Sequence, residues 1–459
     1  MAHDTDRSVP LPPTSPNDAS VAAEIAASTR RQFLATSSVF VGAAAALAGC
    51  QTGANSNAAW LRAPKQGKRA ANVAAGEPIK IGVIGVGGMG GEHVKRLTAF
   101  SGEKRENLQV LALADVCKPH LEPWVAHAKK AQNIQVDGYR NYHELLARSD
   151  LHGVLIAVPE HMHAPVSLAA IAAGKDVYCE KPFTMDLAEA HVVRAAAEAS
   201  DLIFQVGTQY MMYPKYKEAR KLVQAGTIGH PTFSQTSYCR NSKEGEWLYA
   251  IDPKVQPGEL LDWDGWLGPL GPRAFDTNVF HRWRRYRDFS GGIVADLLVH
   301  MMTPLMYAID AGWPVRVSAA GGHYVQKDME NHDQVFLTVE FEKEHTMVVA
   351  GSTCNELGLE TIVRGHKANL FLGGNDCEMR PERVFENDVD AKKIACPQLE
   401  EPQDDLRLDW LRCIRTREKN QSTVEFATRM MVIVDLATRS LWDGHAYTYD
   451  PKTRDVRRA

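Results

Sequence analysis

The chain has 459 residues, 44% hydrophobic and 24% charged, with 52 Lys+Arg against 56 Asp+Glu and a formal net charge of -4. That is a globular balance, with chain enough for two or three domains and a large core. It excludes a wholly disordered, collagen-like or multi-span membrane chain, and without a basic excess no nucleic-acid partner is expected.

Residues 1–29 carry no periodic apolar face. Arg30-Arg31-Gln32-Phe33-Leu34 follows, and it resembles a twin-arginine export signal. The densest apolar stretch, residues 39–48, would make about 15 Å of helix, too short for a bilayer core of about 30 Å, so it reads as a signal h-region. Leu47-Ala48-Gly49-Cys50 resembles a lipobox, which makes Cys50 the candidate lipidation site. Residues 1–50 are thus read as the signal and 51–77 as a flexible linker. The implied partners are the twin-arginine translocase and, through Cys50, a membrane; the implied location is the periplasm. That route carries folded proteins, so a nucleotide can be carried out already bound. Without Cys50 the cysteines are odd in number and form no CxxC pair, so neither a disulfide framework nor a metal site is expected.

Residues 79–85 form a short buried-strand pattern. Gly85-Val86-Gly87-Gly88-Met89-Gly90 follows directly, and residues 91–100 read as helix. In this strand–turn–helix setting, GxGxxG is a dinucleotide-binding turn: tight turn, backbone approach to the pyrophosphate, close helix–strand packing. A second strand over 110–114 ends in Asp115, a carboxylate placed to bind ribose hydroxyls and to repel a 2′-phosphate, so NAD is favoured over NADP. Further strands are read at 153–158 and 176–179, and helices at 142–149, 164–173 and 186–199. Alternation of this kind makes a parallel sheet with its ligand at the C-terminal strand ends. Pro159 to His163 and Glu180-Lys181-Pro182 stand at such ends. His163 is read as a helix cap or ribose contact.

The ordered set of glycine turn, Pro159-x-x-x-His163 and Gly174-Lys175-x-x-x-x-Cys179-Glu180-Lys181-Pro182 resembles the glucose-fructose oxidoreductase / inositol dehydrogenase / rhizopine-catabolism family, Gfo/Idh/MocA. So do Gly207-Thr208-Gln209, residues 263–269, and Gly291-Gly292-x-x-x-Asp296-x-x-x-His300. The resemblance implies an α/β Rossmann dinucleotide-binding domain, placed at 78–203. It also implies an α+β domain with a large, mostly antiparallel open sheet, placed at 204–443, whose face often mediates homo-oligomerisation. Strand patterns at 231–239, 315–320, 333–341, 346–352, 360–365 and 368–373 agree, as do helical patterns at 404–417 and 422–441. Residues 444–459 read as a polar tail. The resemblance adds Pro159, His163, Glu180, Lys181, Gln209, Trp283 and Arg284 to the cofactor contacts Gly85, Gly87, Gly88, Met89, Gly90 and Asp115.

Asp296 and His300 are spaced i, i+4 in an apolar run. On a helix they share a face, where the carboxylate can orient the imidazole. With Lys181 they are the expected catalytic residues: Lys181 to stabilise an alkoxide, and either His300 or Lys181 to take the proton. Substrate contacts are expected from Lys181, Tyr210, Arg240, Asn241, Tyr286, Asp296 and His300, residue types suited to a sugar or cyclitol. Thr303 and Tyr210-Met211-Met212 depart from common family patterns, and residues 263–269 read as a packed corner. The expected activity is hydride transfer between NAD and a secondary alcohol or ketone. The alternatives are a redox-assisted glycosidase or lyase working through a transient keto-sugar, and a non-catalytic sugar- or nucleotide-sensing protein.

Overall fold

Near-continuous apolar runs suit strands covered on both faces, and alternating runs suit a sheet with one open face. Both kinds occur in the computed structural model, which describes residues 60–70 and 72–459. The expected export signal and Cys50, the candidate lipidation site, lie outside the described residues.

The first sheet contains β1 (Ile79–Ile84), β2 (Leu108–Ala114), β3 (Asp137–Tyr139), β4 (Gly153–Ile156), β5 (Asp176–Glu180) and β6 (Phe204–Gly207). All its pairs are parallel, in the order β3-β2-β1-β4-β5-β6. Helices α1 (Gly88–Phe100), α2 (Lys118–Gln132), α3 (Tyr142–Leu146), α4 (His163–Ala172) and α5 (Leu187–Glu198) make the crossovers. Strand order reverses between β1 and β4, which opens a crevice at their C-terminal ends. Because β6 belongs to this sheet, the boundary expected at 203/204 lies beyond Gly207.

Helix α6 (Pro214–Gln224) leads into the second domain. Its sheet holds β7 (Pro231–Cys239), β8 (Pro314–Gly322), β9 (Gln334–Phe341), β10 (His345–Ser352), β11 (Ile362–Gly365), β12 (Ala368–Phe371), β13 (Cys377–Pro381), β14 (Lys392–Ile394), β15 (Tyr447–Tyr449) and β16 (Val456–Arg458). The order is β14-β13-β12-β11-β7-β10-β9-β8-β15-β16, with β7–β10 parallel and the other described pairs antiparallel. Between β7 and β8 lie α7 (Trp263–Leu267), α8 (Thr277–His281) and α9 (Val299–Ile309). After β14 come α10 (Pro402–Thr416) and α11 (Val424–Asp443). Helix α11 packs on β8 and α9. The other face is open: β9 alternates buried and exposed residues, and Phe336 and Phe233 face solvent.

Two expectations are corrected. The polar tail pairs with the sheet as β15 and β16; three-residue strands at an edge gain ladder hydrogen bonds without an apolar run to announce them. The linker 51–77 is docked, not free, over its described part. Trp60 and Leu61 pack on the core, Arg69 Nε donates to Asp201 Oδ2 (3.0 Å), and Gly67 N–H donates to Ile171 O (3.4 Å). Helix α10 returns late in the chain to the first domain, where Leu406, Trp410 and Ile414 join Ile79, Ile81 and Val83 in one core.

Candidate active site

A cavity of ≈ 540 Å3 opens at the C-terminal ends of the first sheet and reaches the second domain. The glycine turn forms its floor. Gly85 has φ +81°, the conformation that favours glycine, and a Cβ there would lie 2.7 Å from Ala157 O. A Cβ on Gly90 would lie 1.8 Å from Gly85 O, so α1 packs against the strand only with glycine here. Gly87, Gly88 and Met89 line the cavity beside them. Asp115, also on the wall, accepts Val86 N–H (2.8 Å) and Cys117 N–H (2.8 Å). Burial raises its pKa; His120 and the two N–H bonds oppose the rise. These residues fit a dinucleotide: a helix N-terminus for the pyrophosphate and a carboxylate for the ribose.

Pro159, His163, Glu180, Lys181, Trp283 and Arg284, expected as cofactor contacts, line the same cavity. His163 is also a structural tie. Nδ1 lies 2.6 Å from Pro182 O and Nε2 2.9 Å from Val158 O, joining the ends of β4 and β5. Burial lowers its pKa, and the two carbonyl bonds oppose that fall. Glu180 is anchored from behind. His93 Nε2 donates to its Oε1 (2.9 Å), while Arg407 Nε donates to His93 Nδ1 (2.8 Å), which fixes the neutral tautomer. Burial raises Glu180, but the His93 bond leads a set of contacts that outweighs it, bringing the pKa down to about 2.

Lys181 reaches across to the second domain. Its Nζ donates to Asp296 O (2.6 Å) and Asp296 Oδ1 (2.8 Å). Asp296 lies in a π-helical insertion, Val294–Leu298, directly before α9. Such a turn departs from the regular i→i−4 ladder and recurs at functional sites; the Asp296 carbonyl here accepts a lysine. Arg284 Nε also donates to Oδ1 (2.9 Å), and Trp247 Nε1 donates to Oδ2 (3.2 Å). Burial opposes ionisation, but Lys181 and Arg284 hold this carboxylate far below the usual range.

This corrects the expected Asp296–His300 pairing. The carboxylate's bonds go to Lys181, Arg284 and Trp247, and His300 Nδ1 is buried without a partner among the described residues. The imidazole instead sits among rings, 5.2 Å from Tyr210 and 6.3 Å from Tyr238. Burial first, then the Lys181 charge, lowers its pKa to about 3. An unfolded histidine titrates near about 6.5, so between these values the unfolded chain binds the extra proton, and stability falls as pH drops from about 6.5 towards 3. His300→Gln should flatten this part of the stability curve by up to about 1.4 kcal/mol per pH unit. Urea unfolding across that window reads the slope, and an unchanged slope would contradict a buried neutral imidazole.

Among the other expected contacts, Gln209 has a buried Oε1 without a partner, but it does not line the large cavity. Arg240 Nη2 donates to Glu246 Oε1 (2.5 Å), and its guanidinium lies 6.0 Å from the Tyr238 ring. Two expectations separate from the cluster. Tyr286 packs with Trp263, Trp266, Phe280 and Phe289, and Asn241 is exposed, with its backbone bridged to Cys354. The 263–269 corner is packed as expected, yet Gly265 and Trp266 also line the cavity. Sequence reasoning passed over Trp247 and Glu160. Glu160 is buried, accepts Ser290 Oγ–H (2.7 Å) and Gly291 N–H (3.0 Å), and is raised to about 7 by burial and then by Asp296. Its signal was its place at a strand end; Trp247, in an irregular connection, gave none. Among the described residues no group of three or more His, Cys, Asp or Glu comes together in a metal-holding arrangement, and no helix is long and apolar enough to cross a membrane.

Comparison with known proteins places this geometry. Residues 79–208 match the oxidoreductase family, NAD-binding Rossmann fold model, and 212–458 match the C-terminal alpha/beta domain model of the same family. Inositol 2-dehydrogenase of Klebsiella pneumoniae (strain 342) is 31% identical over 169 residues, 37% of this chain and 48% of that protein. The inositol 2-dehydrogenase/D-chiro-inositol 3-dehydrogenase of Lactiplantibacillus plantarum is 24% identical over 41% of this chain and 52% of its own length. The chain thus spans about half the length of the curated relatives it matches. Levoglucosan dehydrogenase, solved with NADH and levoglucosan, shares the fold at TM-score 0.61 and 17% identity, over 81% of this chain and 99% of its own. An NAD binding oxidoreductase from Klebsiella pneumoniae does so at TM-score 0.61 and 20% identity, over 81% and 98%. The two matched models follow one another through both domains of the described fold, and the chain belongs to the Gfo/Idh/MocA family of oxidoreductases.

Proposed function

We propose that the protein is an exported, NAD-dependent oxidoreductase acting on a secondary alcohol or ketone of a sugar or cyclitol. One observation carries the reading. The Lys181 ammonium lines the cofactor cavity with two of its hydrogens committed to Asp296, which leaves its third for a substrate oxygen. Bound NAD supplies the hydride acceptor. Lys181 stabilises negative charge that develops on the oxygen. His300 is neutral and is the acceptor we assign to the hydroxyl proton; with its pKa held at about 3 it is a weak base until the negative charge developing on the substrate offsets the Lys181 charge. Asp296 is a poor base, because Lys181 and Arg284 hold its carboxyl far below the usual range and three donors occupy it; it holds Lys181 in place.

The substrate class is supported by Tyr210, Tyr238 and Arg240 around His300, which suit a hydroxylated ring. The names of the inositol and levoglucosan dehydrogenases point the same way. Asp115 favours NAD over NADP. Arg30-Arg31 and the pattern ending at Cys50 support twin-arginine export and a lipid anchor. Outside the cytoplasm, a tightly held cofactor that is restored within each cycle overcomes the lack of free NAD. The open sheet face with Phe233 and Phe336 is the surface for homo-oligomerisation. The test is nicotinamide reduction with purified protein and a panel of inositols, aldoses and anhydrosugars. Reduction by members of this panel is expected, and its absence with NAD and NADP alike contradicts the activity.

A further inference from the structure

Each oxygen of the Asp296 carboxylate has its own occupants. Lys181 and Arg284 share Oδ1, and the indole Nε1–H of Trp247 donates to Oδ2 at 3.2 Å. Trp247 is buried at 2% exposure in the connection between β7 and α7, with a backbone φ of 53°. A large side chain avoids positive φ because its Cβ crowds the backbone carbonyl, so its surroundings must impose that conformation.

Those surroundings are on the neighbouring residue. Glu246 N–H donates to Gln326 Oε1 (2.8 Å), and Arg285 Nη1 donates to Glu246 O (2.9 Å). Glu246 Oε1 accepts Arg240 Nη2 (2.5 Å) and the Trp247 N–H (3.3 Å). Three groups from three parts of the chain, together with the tryptophan's own N–H, thus fix Glu246, the residue ahead of one strained tryptophan. Apolar burial alone does not ask for this, since a ring can be buried from many backbone conformations. Aiming a single N–H at one carboxylate oxygen does ask for it. Backbone strain of this kind clusters where a functional group must be held in place.

We propose that Trp247 is a positioning residue for the reaction. Its indole N–H pins Asp296 Oδ2, which fixes the carboxylate plane and thereby aims the Lys181 ammonium at the substrate oxygen. Without the N–H, Arg284 still holds Oδ1 and the Asp296 carbonyl still holds the ammonium, but Oδ2 is released, so the carboxylate plane can tilt about Oδ1 and shift the ammonium bonded there. Small misplacements of a group that must meet a reacting atom lower the rate steeply. The inference rests on the oxidoreductase reading above.

Trp247→Phe keeps an aromatic ring and removes the N–H. In the full protein, kcat should fall about tenfold or more, with the substrate KM changed less than threefold and NAD affinity less than twofold. In an Asp296→Asn background the same substitution should cost less than threefold, because the pinned carboxylate is already gone. A purely structural role would lower kcat equally in both backgrounds. The indole N–H resonance of Trp247, identified by its loss in Trp247→Phe, should also shift in Asp296→Asn. The proposal is overturned if wild type turns over and Trp247→Phe retains kcat within twofold, or if the two losses multiply. If wild type transfers no hydride to any panel member, the activity reading has failed separately. The resonance then decides the contact: an unmoved signal overturns the inference, and a shifted one supports the pinning of Asp296.

Discussion

Lys181→Ala should lower turnover by about 10³-fold while NAD affinity stays within about threefold. The asymmetry follows from the geometry. Lys181 supplies the free donor at the reacting oxygen, and removing a charge-stabilising donor of this kind costs about 10²–10³ in rate. The glycine turn and Asp115 follow β1 and β2, two and three strands from the β5 end that carries Lys181, and keep their own contacts. The fold should survive as well, because Asp296 keeps Arg284 and Trp247 as donors. Lys181→Arg should not restore activity: a planar guanidinium cannot place its donors as the compact ammonium does on the Asp296 carbonyl, the carboxylate and a substrate oxygen together. Steady-state kinetics with a cofactor titration read both quantities. Turnover within tenfold of wild type would remove Lys181 from the chemistry.

Asp296→Ala should be the most destabilising single change in the site. It strips the shared acceptor from Lys181 and Arg284 and leaves two cations in a site where the lysine and aspartate side chains are 10% and 9% exposed. Breaking a buried pair in this way costs about 3–5 kcal/mol, because the remaining charge stays buried without its partner. In a chain of this size, whose unfolding entropy is large, Tm should fall by roughly 3–6 °C. Lys181→Ala combined with Asp296→Ala should cost less than the sum of the two, since the double variant leaves one fewer unpaired cation. Thermal unfolding of the three variants measures the coupling. Strict additivity would contradict the shared carboxylate.

The elements that were legible in the sequence are those whose pattern is local. Strand β4 announces itself as an unbroken apolar run, β1 as one interrupted only by Lys80, β5 as a short apolar run between Asp176 and Glu180, and β9 by alternation. The glycine turn is legible because its backbone demands a residue without Cβ at Gly85 and Gly90. Helix α2 was not read. It carries Pro123 inside and buries only Leu121 and Ala128, so it has scarcely any apolar stripe. Strands β15 and β16 are too short to form a pattern and owe their existence to the edge they join.

In the site, residue types at strand ends led to Lys181, His163 and Asp115. The bonding of Asp296 was misread for a physical reason. The i, i+4 spacing brings two side chains to one face but does not count competing donors, and Lys181, Arg284 and Trp247 come from distant parts of the chain. Trp247 and Tyr286 show the same limit from opposite sides. Each is an aromatic in an irregular segment; only tertiary packing sends one to the carboxylate and the other to the Trp263–Trp266 corner.

The most direct measurement follows the hydride itself. Protein purified with whatever dinucleotide it carries is mixed, in a single turnover, with inositols and sugars deuterated at their carbinol carbons, and the released cofactor is weighed by mass spectrometry. The expected result is a nicotinamide that has gained one deuterium from a sugar or cyclitol, and no gain in Lys181→Ala. A bound, intact NAD that acquires no deuterium from any member of the panel would contradict it.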